Sequence, residues 1–363
     1  MNAKHPSLRL DPFVDELETC VYCPKLCRAA CPVGNASANE ALSPWGKMSL
    51  AYFAHRGDVP VDEQHAQPAW ACTRCGACRE RCEHDNDVAR VLTATRQTCG
   101  AAGVAPPAAR RVVERFAAHL EAVRRVLREL DAAADPAAST VLLVGCSYVR
   151  YCEDVTGHIL AVIAHFVDGP VRVLRGCCGL GLLLAGDRPG FERTARDLAR
   201  EIGSATRLVV ADPGCARTLT EEYPEIGLDL PEVEPLVDVV AAQIERLPEG
   251  ASSDQPLRYL DPCQLGRGLG RYEQPRTILE RLTGRAPLAL VRSGAHAECS
   301  GGGGLLPLVY PELSRAMAAE RFGEHLAAGG GRLVTACGGS LYRFRRSGHE
   351  VVDLMSLVAE AIA

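Results

Sequence analysis

The chemistry of this chain is concentrated in its thiols, since 17 of its 363 residues are cysteine. Eight of them fall into two runs. The first is Cys20-x2-Cys23-x3-Cys27-x3-Cys31-Pro32, and the second is Cys72-x2-Cys75-x2-Cys78-x3-Cys82. Three closely spaced thiolates can wrap one face of an iron–sulfur cube, and in two-cluster proteins the fourth comes from the other run. On that rule Cys20, Cys23, Cys27 and Cys82 hold one [4Fe–4S] cluster. Cys72, Cys75, Cys78 and Cys31 hold a second. Zinc is the competing ligand. Zinc ribbons build each site from two separated C-x2-C pairs, and four cysteines crowded into each run do not suit that geometry. Glu83 stands where the second run would often carry proline.

A disulfide framework would also use many cysteines, but such scaffolds are usually small and secreted. The N-terminal MNAKHPSLRLDPF has no apolar core of a signal peptide. No run of 18 apolar residues exists that would span a bilayer. The expectation is a cytoplasmic chain with metal-bound thiolates. Any contact with the inner membrane would be peripheral, through a partner. A net charge of -5 speaks against a general nucleic-acid footprint. Arg110–Arg111 and Arg345–Arg346 read as solvated faces.

These thiols need elements to position them. Residues 1–19 read as a polar lead-in helix or arm. Ser37-Ala-Asn-Glu40 reads as a capping box. Pro44-Trp45-Gly46 reads as a chain break, and Lys47 to Arg56 as a short helix ended by Gly57. Ala101–Pro107 is a small-residue linker. From Arg110 to Ala134, Val112, Phe116, Leu120, Val123, Leu127 and Leu130 recur at helical spacing, which predicts one amphipathic helix.

From Val141 the pattern changes. Apolar strands over 141–145, 171–174 and 207–211 alternate with helices over 153–166 and 191–202. This predicts an α/β fold of βαβ units with a mostly parallel sheet. The same programme then repeats. Leu257–Leu260 runs to Cys263 as the first strand runs to Cys146. Cys299-Ser-Gly-Gly-Gly303 answers Cys177-Cys-Gly-Leu-Gly181, and Arg332–Cys337 answers Arg207–Asp212. The expected organisation is a helical two-cluster ferredoxin-type domain over 1–100 and a linker helix over 101–139. Two α/β copies follow, over 140–247 and 257–363, joined by the polar Glu249–Gln255.

Seven further cysteines recur at repeat-matched positions: Cys146, Cys177, Cys178 and Cys215 in copy one, and Cys263, Cys299 and Cys337 in copy two. Cys99 and Cys152 remain and read as buried or incidental thiols. The layout Cys…Cys-Cys-Gly…Cys-x2-Cys resembles the cysteine-rich CCG domain, and DPCQLGR at 261–267 and ECSGGGG at 298–304 fit its second copy. The 40 residues between Cys31 and Cys72, with a helix among them, resemble the helical ferredoxin module of respiratory iron–sulfur subunits. The whole order is similar to the D subunit of heterodisulfide reductase, the iron–sulfur subunit of glycolate oxidase and the C subunit of anaerobic glycerol-3-phosphate dehydrogenase.

The resemblance implies five cysteine ligands per copy, and the chain departs from it at three positions. Asp212 stands for the first cysteine of Asp212-x2-Cys215, Ser300 for the second of the pair, and Ser340 for the last of Cys337-x2-Ser340. Copy one keeps four thiols, enough for one further iron–sulfur cluster, with Asp212 as a candidate oxygen ligand. Copy two keeps three. A serine hydroxyl is a hard, poorly acidic ligand, so that copy is expected to be depleted.

The resemblance further implies an electron-transfer subunit of a dehydrogenase or reductase complex. It would pass electrons between a flavoprotein partner and a quinone or other acceptor, including a membrane-bound one. No flavin or dinucleotide fingerprint appears, so substrate chemistry is expected on the partner. Two alternatives stand beside it: a heterodisulfide-reductase-like catalytic subunit acting on a disulfide or thiol, and a non-redox zinc scaffold. Lys25, Arg28, Arg74, Arg79 and Arg81 flank the N-terminal ligands and would favour a reduced cluster, or serve solubility. Gly301–Gly304 lacks the Lys and spacing of a P-loop; such glycines instead let backbone N–H groups approach sulfur. His55, His84, His158 and His296 read as surface or core residues. Asp261 and Glu298 flank candidate ligands.

Overall fold

A computed structural model describes residues 5–130, 138–250 and 255–363. The end of the helix expected through Ala134 and the middle of the Glu249–Gln255 linker lie outside them. The chain forms two compact units. The first comprises Met1–Phe116, Gly181–Phe191 and Ala295–Arg321. The second comprises Ala117–Leu180, Glu192–Gly294 and Phe322–Ala363.

The first unit is helical. Helices Val14–Tyr22, Pro44–His55 and Val88–Ala101 pack Leu17, Met48, Tyr52, Trp70, Leu92 and Cys99 into one core. The lead-in contributes to that core rather than forming a polar arm, because Leu8 and Leu10 are buried. The Leu8 N–H donates to the Ala54 carbonyl at 3.0 Å. The Trp70 indole N–H donates to the Leu184 carbonyl at 2.9 Å, fixing a segment of copy one in this unit.

Three local expectations are corrected here. Pro44-Trp45-Gly46 does not break the chain; it is the first turn of helix Pro44–His55. Proline needs no N–H partner at that position and its φ is already helical. Ser43 caps the helix, its Oγ accepting from the Gly46 N–H at 3.1 Å. Ser37 and Glu40 form no capping box. Asn39 caps the short turn Glu40–Leu42 and Glu40 pairs with Arg28. The long amphipathic helix is two, Pro107–Glu114 and Phe116–Glu129, because Arg115 leaves helical geometry at φ -99° and ψ 3°. Val112 and Val113 pack on the first unit's core, while Val123, Val126 and Leu127 are buried within the stretch belonging to the second unit.

The second unit holds two four-stranded sheets. β1 (Thr140–Leu143), β2 (Val171–Val173), β3 (Arg207–Val210) and β4 (Val233–Pro235) lie in the order β2-β1-β3-β4. β5 (Leu257–Tyr259), β6 (Leu288–Ala289), β7 (Arg332–Thr335) and β8 (Val352–Asp353) lie in the order β6-β5-β7-β8. All pairs are parallel; Val141 faces Leu208 in one sheet and Arg258 faces Leu333 in the other. The two sheets therefore share one topology, as the repeat predicts. β1 is buried along its whole length, which is why it reads as an apolar run rather than an alternating one; β5 is equally buried but carries Arg258, whose guanidinium donates to the Ala289 and Ala328 carbonyls. Helices Glu153–Phe166 and Leu354–Ile362 pack together between the copies. The Tyr148 hydroxyl ties them by donating to the Asp353 carboxylate at 2.8 Å.

The thiols sit where such sheets place ligands, beyond the carboxyl ends of the strands. Cys146 follows β1 and Asp212 follows β3; Cys263 follows β5 and Cys337 follows β7.

Candidate metal centres

Helix Val14–Tyr22 carries Cys20 near its end, and a 3-10 turn over Leu26–Ala30 carries Cys27. Between them Lys25 takes a left-handed φ of 67°, which folds the chain back on itself. Cys20, Cys23, Cys27 and Cys82 line one pocket, with Cys78 and His84 also on its wall. Burial pushes the Cys20 thiol up to about 12, and Cys27, Cys82 and Cys23 add to the rise. The Cys27 thiol is raised to about 11, again by burial first and then by Cys82 and Cys23.

The second group is Cys31, Cys72, Cys75 and Cys78. Burial raises the Cys78 thiol well above its usual range, and Cys75, Cys72 and Cys31 raise it further. Crowded thiols of this kind hold their protons until a metal displaces them. The structure places Cys20, Cys23, Cys27 and Cys82 around one pocket, and it sets Cys31, Cys72 and Cys75 close enough to Cys78 to raise its thiol.

Backbone N–H groups point at these sulfurs. The Gly34 N–H reaches Cys31 Sγ, the Arg74 N–H reaches Cys72 Sγ and the Asn86 N–H reaches Cys82 Sγ, each at 3.4 Å. Thiols grouped around a space and met by N–H donors fit an anionic sulfur cofactor. Among the described residues no three His, Cys, Asp or Glu side chains converge on one point to bind a lone metal ion.

Sequence reasoning missed Lys47. It is only 3% exposed, and its Nζ lies 3.8 Å from Cys31 Sγ and 3.4 Å from the Ala71 carbonyl. Burial pulls its pKa down, but Cys31, Cys72, Cys78 and Cys75 reverse this and the net shift is upward. The available signal was a lone lysine in the apolar stretch Trp45–Ala54. Of the basic residues that were expected to act, several have local partners instead. Arg28 pairs with Glu40 at 2.6 Å, Arg79 pairs with Asp85 at 2.6 Å, and Lys25 lies over the Trp45 ring at 4.0 Å.

The glycine run has a further purpose. The Gly301 N–H does approach Cys299 Sγ, at 3.4 Å. Gly303 and Gly304, however, press on the loop carrying Cys72. A Cβ on Gly304 would overlap Cys72 and Thr73 backbone, and one on Gly303 would crowd the Thr73 carbonyl. Arg96, fully buried, fastens this contact by donating to Ala69, Cys72 and Gly304 carbonyls.

In copy one, Cys146 Sγ lies 3.2 Å from Cys177 Sγ, and Cys178 Sγ lies 3.2 Å from Cys215 Sγ. The Gly179 N–H meets Cys177 Sγ at 3.4 Å. Hydrogen bonds from Cys146 and Cys178 draw the Cys177 thiol below its usual range, while the bond to Cys177 raises Cys146. Asp212 caps helix Pro213–Glu221, its Oδ1 accepting from the Gly214 and Cys215 N–H groups at 2.9 and 3.2 Å. The Ser147 side chain lies beside this buried carboxyl and also acts to lower its pKa. Burial pushes this carboxyl up to about 6. Gly145, at φ 98°, is required there, since a Cβ would strike the Asp212 side chain.

Copy two is divided. Cys263 and Cys337 fall in the second unit and Cys299 in the first. Burial raises the Cys337 thiol to about 12, and the nearby Asp212 charge adds to it. Asp261 is a strut: Arg276 grips its two oxygens at 2.7 and 2.9 Å, and the Gly294 N–H donates at 2.8 Å. Glu298 forms a buried pair with Arg321 at 2.9 Å. Cys99 and Cys152 are buried, as expected. His158 bonds Ser356 at 2.9 Å, and His55 bonds the Leu8 carbonyl at 3.1 Å.

Comparison with known proteins follows the same division. A 4Fe–4S dicluster domain matches residues 16–86, and a cysteine-rich domain matches twice, over 140–220 and 257–345. The D subunit of dihydromethanophenazine:CoB–CoM heterodisulfide reductase from Methanosarcina barkeri is 24% identical over 388 residues, covering 96% of this chain and 94% of that protein. Its counterpart in Methanosarcina mazei is 23% identical over 389 residues, with the same coverage, 96% and 94%. The B subunit of fumarate reductase (CoM/CoB) from Methanothermobacter marburgensis is 24% identical over 319 residues, which are 83% of this chain and 62% of that protein. Among the described residues no helix is long and apolar enough to cross a membrane.

Proposed function

Because the chain belongs to the iron–sulfur proteins that join a 4Fe–4S dicluster domain to paired cysteine-rich domains, we propose that it is the electron-transfer subunit of a reductase or dehydrogenase complex. It carries two [4Fe–4S] clusters on its eight N-terminal cysteines and a third iron–sulfur centre in copy one. The observation that supports this reading is the gathering of Cys20, Cys23, Cys27 and Cys82 around one pocket, with Cys31, Cys72 and Cys75 crowded near Cys78.

Such clusters, when bound, take up and release single electrons. The chain's residues supply the rest. Cys20, Cys23, Cys27 and Cys82 bind the first, and Cys31, Cys72, Cys75 and Cys78 bind the second. The Gly34, Arg74 and Asn86 N–H groups favour negative charge on the ligand sulfurs. Cys146, Cys177, Cys178 and Cys215 bind the third centre, and the buried Asp212 carboxylate close to Cys146 and Cys177 supports a role as an oxygen ligand. A flavoprotein partner delivers electrons and a quinone, free or in a membrane-bound partner, receives them. The chain itself stays in the cytoplasm, peripheral to the inner membrane through that partner. Relatives that are subunits of named reductases support the assembly.

A second reading keeps the disulfide chemistry of those relatives. The adjacent Cys177 and Cys178, with the Cys177 thiol lowered, favour it. A disulfide would take two electrons from the chain and two protons from water to give two thiols. The replacements at Asp212, Ser300 and Ser340 weigh against it. The test is anaerobic: chemically reduced chain is mixed with a soluble quinone or with a small disulfide, and reoxidation is followed by absorbance. Oxidation by quinone alone is expected. Release of two thiols per disulfide, abolished by Cys177→Ser, would install the second reading instead.

A further inference from the structure

We propose that Lys47 is the built-in counter-ion of the second four-cysteine site and makes it the higher-potential site of the two. The inference rests on the reading that both N-terminal sites hold [4Fe–4S] clusters.

The sequence itself sets Lys47 apart. Of 40 basic residues, 37 are arginine and only three are lysine, at positions 4, 25 and 47. Arg is the ordinary choice where a planar fork meets carboxylates, whereas Lys carries a compact point charge. Lys47 is where this chain needs such a charge. It is buried at 3% exposure, and no carboxylate pairs with it among the described residues. Its hydrogen bonds go to Cys31 Sγ and the Ala71 carbonyl. An ammonium taken out of water costs several kcal/mol unless an anion compensates it. The anions within reach are the sulfurs of Cys31, Cys72, Cys75 and Cys78.

The local fold is built to deliver this side chain. Ser43 caps the helix, and Gly46 lies so close to the Glu40 and Ala41 backbone that any Cβ would collide. That contact fixes where the next residue, Lys47, enters the core. The spacer between the two cysteine runs thus has a function beyond connection.

Among the described residues no buried lysine stands at the first site. Lys25 lines it, but it is half-buried and held over the Trp45 ring at 4.0 Å. Arg28 is neutralised by Glu40. Reduction adds one negative charge to a cluster, so a fixed buried cation beside it stabilises the reduced form and raises its potential. With the cation at the second site only, one electron leaving a reduced first site comes to rest on the second, with no proton or bond change.

The test is an EPR-monitored redox titration of the full chain, purified anaerobically, as wild type, Lys47→Met and Lys47→Arg. Lys47→Met keeps length and loses charge. It is expected to lower the potential of one cluster signal so that its reduced fraction at fixed potential falls at least tenfold, about 59 mV for a one-electron couple. The other signal stays put, and Lys47→Arg recovers most of the shift. The sensitive signal is the one reduced first in wild type. Unchanged potentials, or an equal shift of both signals, would overturn the proposal. If the Met chain loses iron at that site, Lys47→Gln replaces it, keeping an N–H donor without charge; an unshifted potential there overturns the proposal equally. A wild-type chain without iron and sulfide would overturn the cluster reading itself.

Discussion

Arg96 holds Gly304: its Nη1 donates to the Gly304 carbonyl at 3.2 Å, while Nη2 reaches the Ala69 and Cys72 carbonyls at 2.9 and 2.5 Å. One buried guanidinium thus joins the helix that follows the second cysteine run, the loop bearing Cys72, and the glycine run after Cys299. Guanidinium bonds of this kind contribute roughly 1.5–3 kcal/mol each where buried carbonyls would otherwise be orphaned. Arg96→Leu should cost on the order of 3 kcal/mol or more, read from the denaturant midpoint of the iron-loaded chain. Gly304→Ala should also destabilise, because its φ of 66° and its contact with Cys72 both exclude a Cβ. Wild-type midpoints for both variants would show that this junction is not structural.

The division between the copies makes a prediction about iron. Copy one brings four thiols and Asp212 together, whereas copy two keeps only Cys263, Cys299 and Cys337, with Ser300 and Ser340 at two ligand positions. Cys146→Ser and Cys215→Ser should each lower the iron content by about four atoms, one cluster's worth. Cys263→Ser and Cys337→Ser should leave it unchanged. The check is iron and sulfide analysis of matched anaerobic preparations; equal losses from both copies would refute the assignment.

A pH dependence follows from Asp353. Burial raises its carboxyl to about 7 from an ordinary 3.8, while the Tyr148 hydroxyl and the Met355 N–H act to lower it. The folded chain therefore holds this proton more tightly than the unfolded chain does. Stability is greatest below about pH 4 for this group and is lost as pH rises toward 7, by a few kcal/mol in order of magnitude. Asp353→Asn keeps the helix cap and cannot ionise. It should flatten that part of the stability–pH curve and stabilise the chain at about pH 8. Denaturant titrations at several pH values decide it, and parallel curves for the two chains would show that Asp353 does not titrate in this range.

Iron removal should unfold selectively. Cys27, Cys72, Cys78 and Cys82 sit in or beside the short 3-10 turns Leu26–Ala30, Gln67–Ala71 and Arg79–Arg81, so cluster binding supplies much of the folding energy there. Chelated chain should become sensitive to protease within 20–100 while the two parallel sheets stay protected. Unchanged resistance in the N-terminal region would contradict this.

Much of this architecture was readable in the sequence because it rests on local period and on repetition. The two cysteine runs, the parallel strands and the duplicated order each leave a signature at fixed spacing. What was not readable depended on distant contacts. Gly303 and Gly304 look like cluster-loop glycines, and only the approach of Cys72 and Thr73 from over 200 residues away explains them. Lys47 looked like the first residue of a helix because Pro44 and Gly46 read as breakers, although Ser43 followed by Pro44 is itself a helix-start signal; what the sequence hides is that this earlier start turns the lysine inward. Arg28 and Arg79 looked like cluster cations, but Glu40 and Asp85 claim them.

These thiols hold iron–sulfur clusters on the reading proposed above. Metal and acid-labile sulfide analysis of the anaerobically purified chain tests it most directly. About twelve irons and a matching amount of sulfide per chain are expected, with about eight of each in the N-terminal sites. About two zinc ions per chain and no sulfide would contradict it.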